Sequence, residues 1–89
     1  MVSRDSVPVL RRGIRRHFDS ARGAEVLLGP ERVIVLDEVA VAIVEKFDGR
    51  SVAGISALLA ETFAADAAVV EADVIEFVQE LVDKGLASA

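Results

Sequence analysis

The stretch EVLLGPERVIVLDEVAVAIVEKFDG, residues 25–49, contains the point at which the apolar pattern changes period. Before Asp37 the chain is β-branched and apolar, as in residues 32–36, and Gly29-Pro30 interrupts it with a tight turn. After Asp37, which is a good helix N-cap, apolar residues recur at the 3.6-residue spacing of a helix. The sequence therefore predicts strands before residue 37 and helices after it.

Three predicted strands precede Asp37. The first lies within residues 13–18, where side chains alternate between two faces, and turn-forming residues 19–23 follow it. The second covers residues 25–28 and the third covers residues 32–36. Because the connections are short, we expect antiparallel neighbours in the order one, two, three, with the third strand at an edge of the sheet.

Three predicted helices fill the rest of the chain. The third closes at Gly85, where a Schellman motif would pack Leu86 against Leu81. The predicted fold is α+β and winged-helix-like, with a three-stranded antiparallel sheet followed by three α-helices. The predicted N-caps are Asp37, Ser51 and Asp66.

A chain of 89 residues has room for one domain. Pro8 and the polar start predict a flexible N-terminal segment without regular structure over residues 1–12, which leaves residues 13–89 as the domain. The chain has no apolar run of membrane-spanning length and no signal-peptide pattern at its start. We therefore expect a cytoplasmic protein without a membrane partner.

The sequence contains no constellation of catalytic residues. It has no cysteine and a single histidine, His17, which excludes disulfides, thiol nucleophiles and sites that need two histidines. The six glycines are scattered and form no phosphate-binding loop, and the serines lie outside any nucleophile-elbow context. The sequence predicts a protein that is not an enzyme and that holds no cofactor and no metal.

Charge is distributed unevenly along the chain. Residues 1–36 carry a net charge of +3, whereas residues 37–89 carry −8. A basic surface could guide an acidic peptide or an acidic enzyme surface toward the domain. The candidate electrostatic contacts are Arg11, Arg12, Arg15 and Arg16.

Two classes of function fit the predicted fold. A winged-helix arrangement suggests a DNA-binding or transcription-regulatory domain, but the third helix carries five carboxylates that phosphates would repel. An apolar edge strand instead suggests that a peptide adds to the sheet as a further strand. The second interpretation predicts no nucleic-acid partner, and DNA binding remains the alternative.

Several segments of the chain resemble the PqqD family. The resemblance covers about residues 8–87, and its most specific part is Leu-Leu-Gly-Pro-Glu-Arg, residues 27–32, with Asp48-Gly49 at the family's spacing. Weaker matches are Gly13-Ile14-Arg15, Phe18-Asp19, Asp73-Val74 and Lys84-Gly85-Leu86.

The resemblance implies a non-catalytic peptide chaperone of pyrroloquinoline quinone biosynthesis. Such a RiPP recognition element binds the ribosomal precursor peptide PqqA and presents it to the radical SAM enzyme PqqE. It also implies that the peptide adds beside the third strand and lies against the third helix. We expect a monomer in dilute solution, with a dimer as the alternative at high concentration. The implied peptide-binding residues are Arg32, Val33, Ile34, Val35, Leu36, Val74, Phe77, Val78 and Leu81.

Overall fold

The computed structural model describes residues 1–30 and 32–89. It confirms the predicted α+β fold, with a three-stranded antiparallel sheet and three helices, and adds two short strands that pair with each other. The elements are β1 (Val9–Leu10), β2 (Arg15–Asp19), β3 (Ala24–Gly29), β4 (Arg32–Leu36), α1 (Glu38–Glu45), α2 (Val52–Thr62), α3 (Ala67–Asp83) and β5 (Ala87–Ser88).

The main sheet has the predicted strand order, β2-β3-β4, with β3 in the centre. Leu27 of β3 lies opposite Arg16 on one side and Ile34 on the other. Leu27 is buried and packs with Ile34 in the core, so this face of the sheet is covered by the helices. Since side chains alternate along a strand, Val33 and Val35 lie on the opposite face.

Each helix begins at its predicted N-cap, whose side-chain oxygen accepts a backbone N–H of the first turn. The donor–acceptor distances are 2.7 Å for Asp37, 3.2 Å for Ser51 and 2.8 Å for Asp66. These bonds satisfy amide groups that have no partner within the helix. The caps therefore fix where the helices begin.

The predicted Schellman motif at the end of α3 is confirmed. Gly85 has a positive φ of 74°, a conformation that favours glycine. The Leu86 N–H donates to the Leu81 carbonyl at 2.8 Å, and the Gly85 N–H donates to the Val82 carbonyl at 3.0 Å. Leu86 and Leu81 are buried in the same cluster, which turns the chain back toward the sheet.

The core consists of two clusters, and α3 contributes to both. One cluster joins α1, α2 and α3, and the other joins the sheet to α1, α3 and the C-terminal strand. Phe77 is partly buried and packs against both clusters. Part of its side chain remains exposed and lines the same surface hollow as Ile34 and Val35 of β4. The main buried side chains are Ile43, Val52, Ile55, Leu59, Val74 and Val78 in the first cluster and Leu27, Leu36, Val44, Leu81 and Leu86 in the second.

The prediction that residues 1–12 lack regular structure is wrong, because Val9–Leu10 form β1 and pair with β5. Val2 is buried in the helical cluster. The carbonyls of Arg4 and Ser6 accept the first two N–H groups of α2, at 2.9 and 2.8 Å. The segment thus lies on the helices and caps one of them, while its flexibility in solution stays a prediction.

None of the described helices has both the length and the apolar character needed to cross a bilayer.

Candidate functional site

The free edge of β4 carries backbone groups that β3 does not use. Gly29 and Arg32 close the β3–β4 hairpin, with two residues between them. In such a hairpin the two closing residues form a hydrogen-bonded pair. Bonded and non-bonded pairs alternate along an antiparallel ladder, so Ile34 bonds to β3. Val33 and Val35 therefore direct their N–H and C=O groups outward.

A groove of about 450 Å³ lies beside this edge, between β4, the start of α1 and the middle of α3. Its α3 wall is a single stripe, because Asp73, Phe77 and Glu80 occupy positions i, i+4 and i+7 of the helix. The remaining lining is mostly apolar, with one further carboxylate. It consists of Ile34, Val35, Asp37, Val39, Ala40 and Ile43.

Four of the five site residues predicted on β4 lie at or near this surface. Val33 and Val35 are 47% and 57% exposed, which is high for valine in a strand. Ile34 is half-buried and lines the groove, and Arg32 is exposed at the start of the strand. Leu36 is buried in the cluster that joins the sheet to α1 and α3, so it anchors the end of β4 in the core.

Only one of the four residues predicted on α3 lines the groove. Val74, Val78 and Leu81 are almost completely buried in the core, with at most 1% of their surface exposed. They form the packed side of α3, whereas Phe77 lies at the margin between core and groove. A bound peptide would contact Phe77 directly and the other three only through it.

The sequence analysis missed the groove's carboxylates and Val39. Asp73 and Glu80 flank Phe77 at four and three residues, so the helical period could have placed them on the same stripe. Val39 is 50% exposed on the first turn of α1. Its exposure depends on how α1 leaves the sheet, which the local pattern does not specify.

The three carboxylates of the groove have different partners among the described residues. Asp37 accepts the Ala40 N–H as a helix cap. Glu80 accepts a hydrogen bond from Lys84 Nζ at 2.7 Å. Asp73 forms neither a side-chain hydrogen bond nor an ion pair with any residue in the described ranges. The groove therefore presents unneutralised negative charge.

The four predicted electrostatic contacts lie away from the groove. Arg15 and Arg16 are on β2, which is separated from β4 by β3 and thus by about 10 Å. Arg16 forms ion pairs with Glu45 at 3.2 Å and Glu25 at 3.9 Å. Arg11 and Arg12 precede β2 in an exposed turn. We call these four arginines the basic region, and none of them lines the groove.

Among residues 1–30 and 32–89, the turn after β2 contains the one carboxyl group whose pKa is clearly shifted. A hydrogen bond from the Arg22 guanidinium, at 2.5 Å, holds the pKa of Asp19 below its ordinary value. Backbone N–H groups of Ala21 and Arg22 also donate to this carboxylate. Across residues 1–30 and 32–89, no three metal-ligating side chains cluster in a way that could hold an ion.

Comparison with known proteins gives the family of this chain. The sequence profile of Coenzyme PQQ synthesis protein D (PqqD) matches residues 25–87. A protein of Xanthomonas oryzae pv. oryzae strain PXO99A, described as a PqqA binding protein, is 50% identical over 86 residues, which is 96% of this chain and 94% of that protein. The chain belongs to the PqqD family.

Two solved structures share the fold of this PqqD-family chain. The solution NMR structure of the PqqD part of Methylobacterium extorquens PqqCD, a functional and stand-alone RiPP recognition element, is 39% identical and covers 100% of this chain and 96% of its own, with a TM-score of 0.88. Lasso peptide synthetase B1, solved in complex with a leader peptide, is 25% identical, with a TM-score of 0.80 and coverage of 94% of this chain and 100% of its own. The shared fold is thus found in a protein that holds a peptide.

Proposed function

We propose that this PqqD-family chain binds the precursor peptide PqqA and presents it to the radical SAM enzyme PqqE during pyrroloquinoline quinone biosynthesis. The relatives described as PqqA binding proteins support the choice of peptide, because they match nearly the whole chain. The family resemblance supports the choice of enzyme. The domain itself does no chemistry in this proposal.

The observation that carries the proposal is the open edge of β4 beside an apolar groove. Val33 and Val35 offer two N–H donors and two C=O acceptors to an incoming strand. An added strand gains affinity from these backbone bonds and selectivity from the side-chain groove. Phe77 and Ile34 then contact its inward-facing side chains.

The proposed benefit to the enzyme is local concentration and order. A free precursor peptide is flexible and loses conformational entropy when it is ordered. Binding to the domain orders the peptide before it enters the active site. Tethering the peptide near the enzyme raises its effective concentration there. Because RiPP precursors are made on the ribosome, we propose the cytoplasm as the place of action and a monomer as the acting form.

The basic region of β2 and the preceding turn fits the enzyme better than the peptide. Arg11, Arg12 and Arg15 have no acidic partner within the described ranges, and none of them lines the groove. We propose that they guide an acidic surface of PqqE toward the domain. The peptide-bound groove would then remain accessible.

The DNA-binding alternative gains no support from the arrangement of α3. The exposed stripe that a recognition helix would offer to a major groove contains Asp73, Glu76 and Glu80. Phosphates would be repelled there, and Lys84 is the only cation on this part of the helix surface that the structure describes. No observation favours a nucleic-acid partner.

An NMR titration tests the proposed function. The chain has no Trp or Tyr, so amide shifts of the ¹⁵N-labelled domain are a better reporter than intrinsic fluorescence. We expect saturable shifts at Val33, Val35 and Phe77 on addition of synthetic PqqA, and none with a scrambled peptide. Absence of shifts at large excess would overturn the proposal.

The same titration distinguishes the proposed groove from a second one. A groove of about 460 Å³ lies between α1 and α2, with Phe63 in its lining. It has no strand edge, so it offers no row of free backbone groups. Shifts confined to residues around Phe63 would keep peptide binding but move the site away from β4.

A further inference from the structure

We infer that the β4–α3 groove selects a peptide segment with an inward-facing Lys or Arg, whose aliphatic stem covers Phe77 and whose charged end meets Asp73 and Glu80. The inference rests on the proposed function, since it specifies the chemistry of the peptide that occupies the same groove. It assigns electrostatic selectivity to the acidic α3 and not to the arginines of β2.

The geometry of α3 places an apolar surface between carboxylates. Phe77 lies between Asp73 and Glu80 on one stripe, and Glu76 is next to it on the helix. These four residues line a hollow of about 230 Å³ at the α3 side of the groove. A basic side chain fits such a surface because its methylenes pack on an apolar neighbour while its charge reaches outward.

Two of the three carboxylates of this stripe have no cationic partner among the described residues. Glu80 is paired with Lys84, whereas Asp73 and Glu76 form no ion pair there. Carboxylates three and four residues apart on a helix repel each other. A cation supplied by the peptide relieves this repulsion, and an acidic side chain in the same position increases it.

The register of the proposed strand decides which peptide residues meet this surface. A strand beside β4 alternates its side chains, so those next to Ile34 point toward α3. Those next to Val33 and Val35 lie on the other face of the sheet, against exposed apolar surface. The expected segment therefore combines outward-facing apolar residues with an inward-facing basic one.

The experiment measures the affinity of two peptides for three forms of the full chain by calorimetry. The peptides are synthetic PqqA and a version with every Lys and Arg replaced by Gln. The proteins are the unchanged chain, Asp73→Asn, and the control Glu61→Gln, which removes an exposed carboxylate of α2 that lines neither groove. Both substitutions are on exposed positions, and thermal unfolding checks that the variants fold.

We expect Asp73→Asn to weaken PqqA binding about three- to tenfold and Glu61→Gln to leave it unchanged. The neutralised peptide should bind the unchanged chain more weakly than PqqA does. Its affinity should not fall further in Asp73→Asn, because the partner charge is already absent. Asp73→Lys weakens PqqA binding more than Asp73→Asn does.

Each failure has a separate meaning. Equal affinity of the unchanged chain for both peptides, or unchanged PqqA affinity in Asp73→Asn, overturns the inference and leaves the proposed function intact. If the unchanged chain binds neither peptide, the proposed function itself fails and the inference fails with it.

Discussion

The two edges of the main sheet are equal in length and opposite in chemistry. β2 and β4 have five residues each and both pair with β3. The backbone groups of Leu27 bond to β4, so the neighbouring residue of β3, Val26, bonds to its partner His17 on β2. The backbone groups of Arg16 and Phe18 therefore point outward. Both edges therefore carry free donors and acceptors, and only their side chains and surroundings differ.

The surroundings favour β4 over β2 as the edge for the proposed added strand. The β2 edge carries Arg15, Arg16 and His17, and charged side chains at an edge oppose pairing with another strand. Arg16 is also fixed by its ion pair with Glu45 at 3.2 Å. The β4 edge is apolar and has the Phe77 wall beside it. Free backbone groups are thus not sufficient for a site, and a side-chain groove next to them is needed.

The largest expected effect comes from proline at the free edge of β4. Val35→Pro removes an outward N–H without breaking the β3 ladder, and edge strands tolerate proline at such positions. We expect PqqA affinity to fall about 30- to 100-fold, because a donor is lost and a peptide carbonyl is left without a partner. Calorimetry with the synthetic peptide measures the change.

The matched control for this prediction is Phe18→Pro on the other edge. It also removes an outward N–H, from an exposed position of β2, and should leave PqqA affinity unchanged. Ile34→Pro is not a suitable test, since it removes a bond to β3 and would weaken the sheet. Equal losses in Val35→Pro and Phe18→Pro would show that the two edges do not differ in the proposed way.

A smaller effect is expected from the groove wall. Phe77→Leu keeps an apolar side chain but reduces the surface that a peptide can cover, so we expect PqqA affinity to fall about three- to tenfold. Phe63→Leu is the control, because Phe63 is an exposed phenylalanine in the α1–α2 groove. A larger loss in Phe63→Leu than in Phe77→Leu would move the peptide to the other groove.

The basic region should affect the enzyme's rate of association and leave the peptide's affinity unchanged. Replacing Arg11, Arg12 and Arg15 by Gln is expected to lower the association rate with PqqE about two- to fivefold at low salt. The difference should shrink as salt screens the charges. PqqA affinity, measured on the same variant, should not change. A rate that is independent of both salt and substitution would remove this role.

The sequence predicted the sheet and helices because their signals are local. The alternation in residues 25–36 and the caps at Asp37, Ser51 and Asp66 act within a few residues of each element. The N-terminal segment has no such signal. Val2 is anchored by a core built from distant parts of the chain, and its N–H donates to Gln79 Oε1 at 2.8 Å across 77 positions.

The candidate site was predictable on β4 and only partly on α3. The short connections predict that the first and third strands are both edges, and the resemblance to the PqqD family selects the third strand, with Val33 to Val35. On α3 the apolar stripe is broad, and helical period alone does not tell Phe77 from Val78. The distinction depends on tertiary packing, because Val78 is buried in the cluster of the three helices, whereas Phe77 packs at the margin of both clusters and lines the groove.

The smallest expected effect concerns Asp19, at the end of the β2 edge. Its pKa is held below the ordinary value chiefly by the Arg22 guanidinium, so the interaction stabilises the fold above the ordinary pKa of aspartate and is lost as pH falls through the folded value. Arg22→Gln should raise the pKa toward the ordinary value in a carboxyl ¹³C NMR titration. Because this carboxylate lies on the β2 edge, which β3 separates from β4, PqqA should leave the midpoint of its titration unchanged. A shifted midpoint in the complex would mean that the peptide reaches the β2 edge, and the distinction between the edges would then fail.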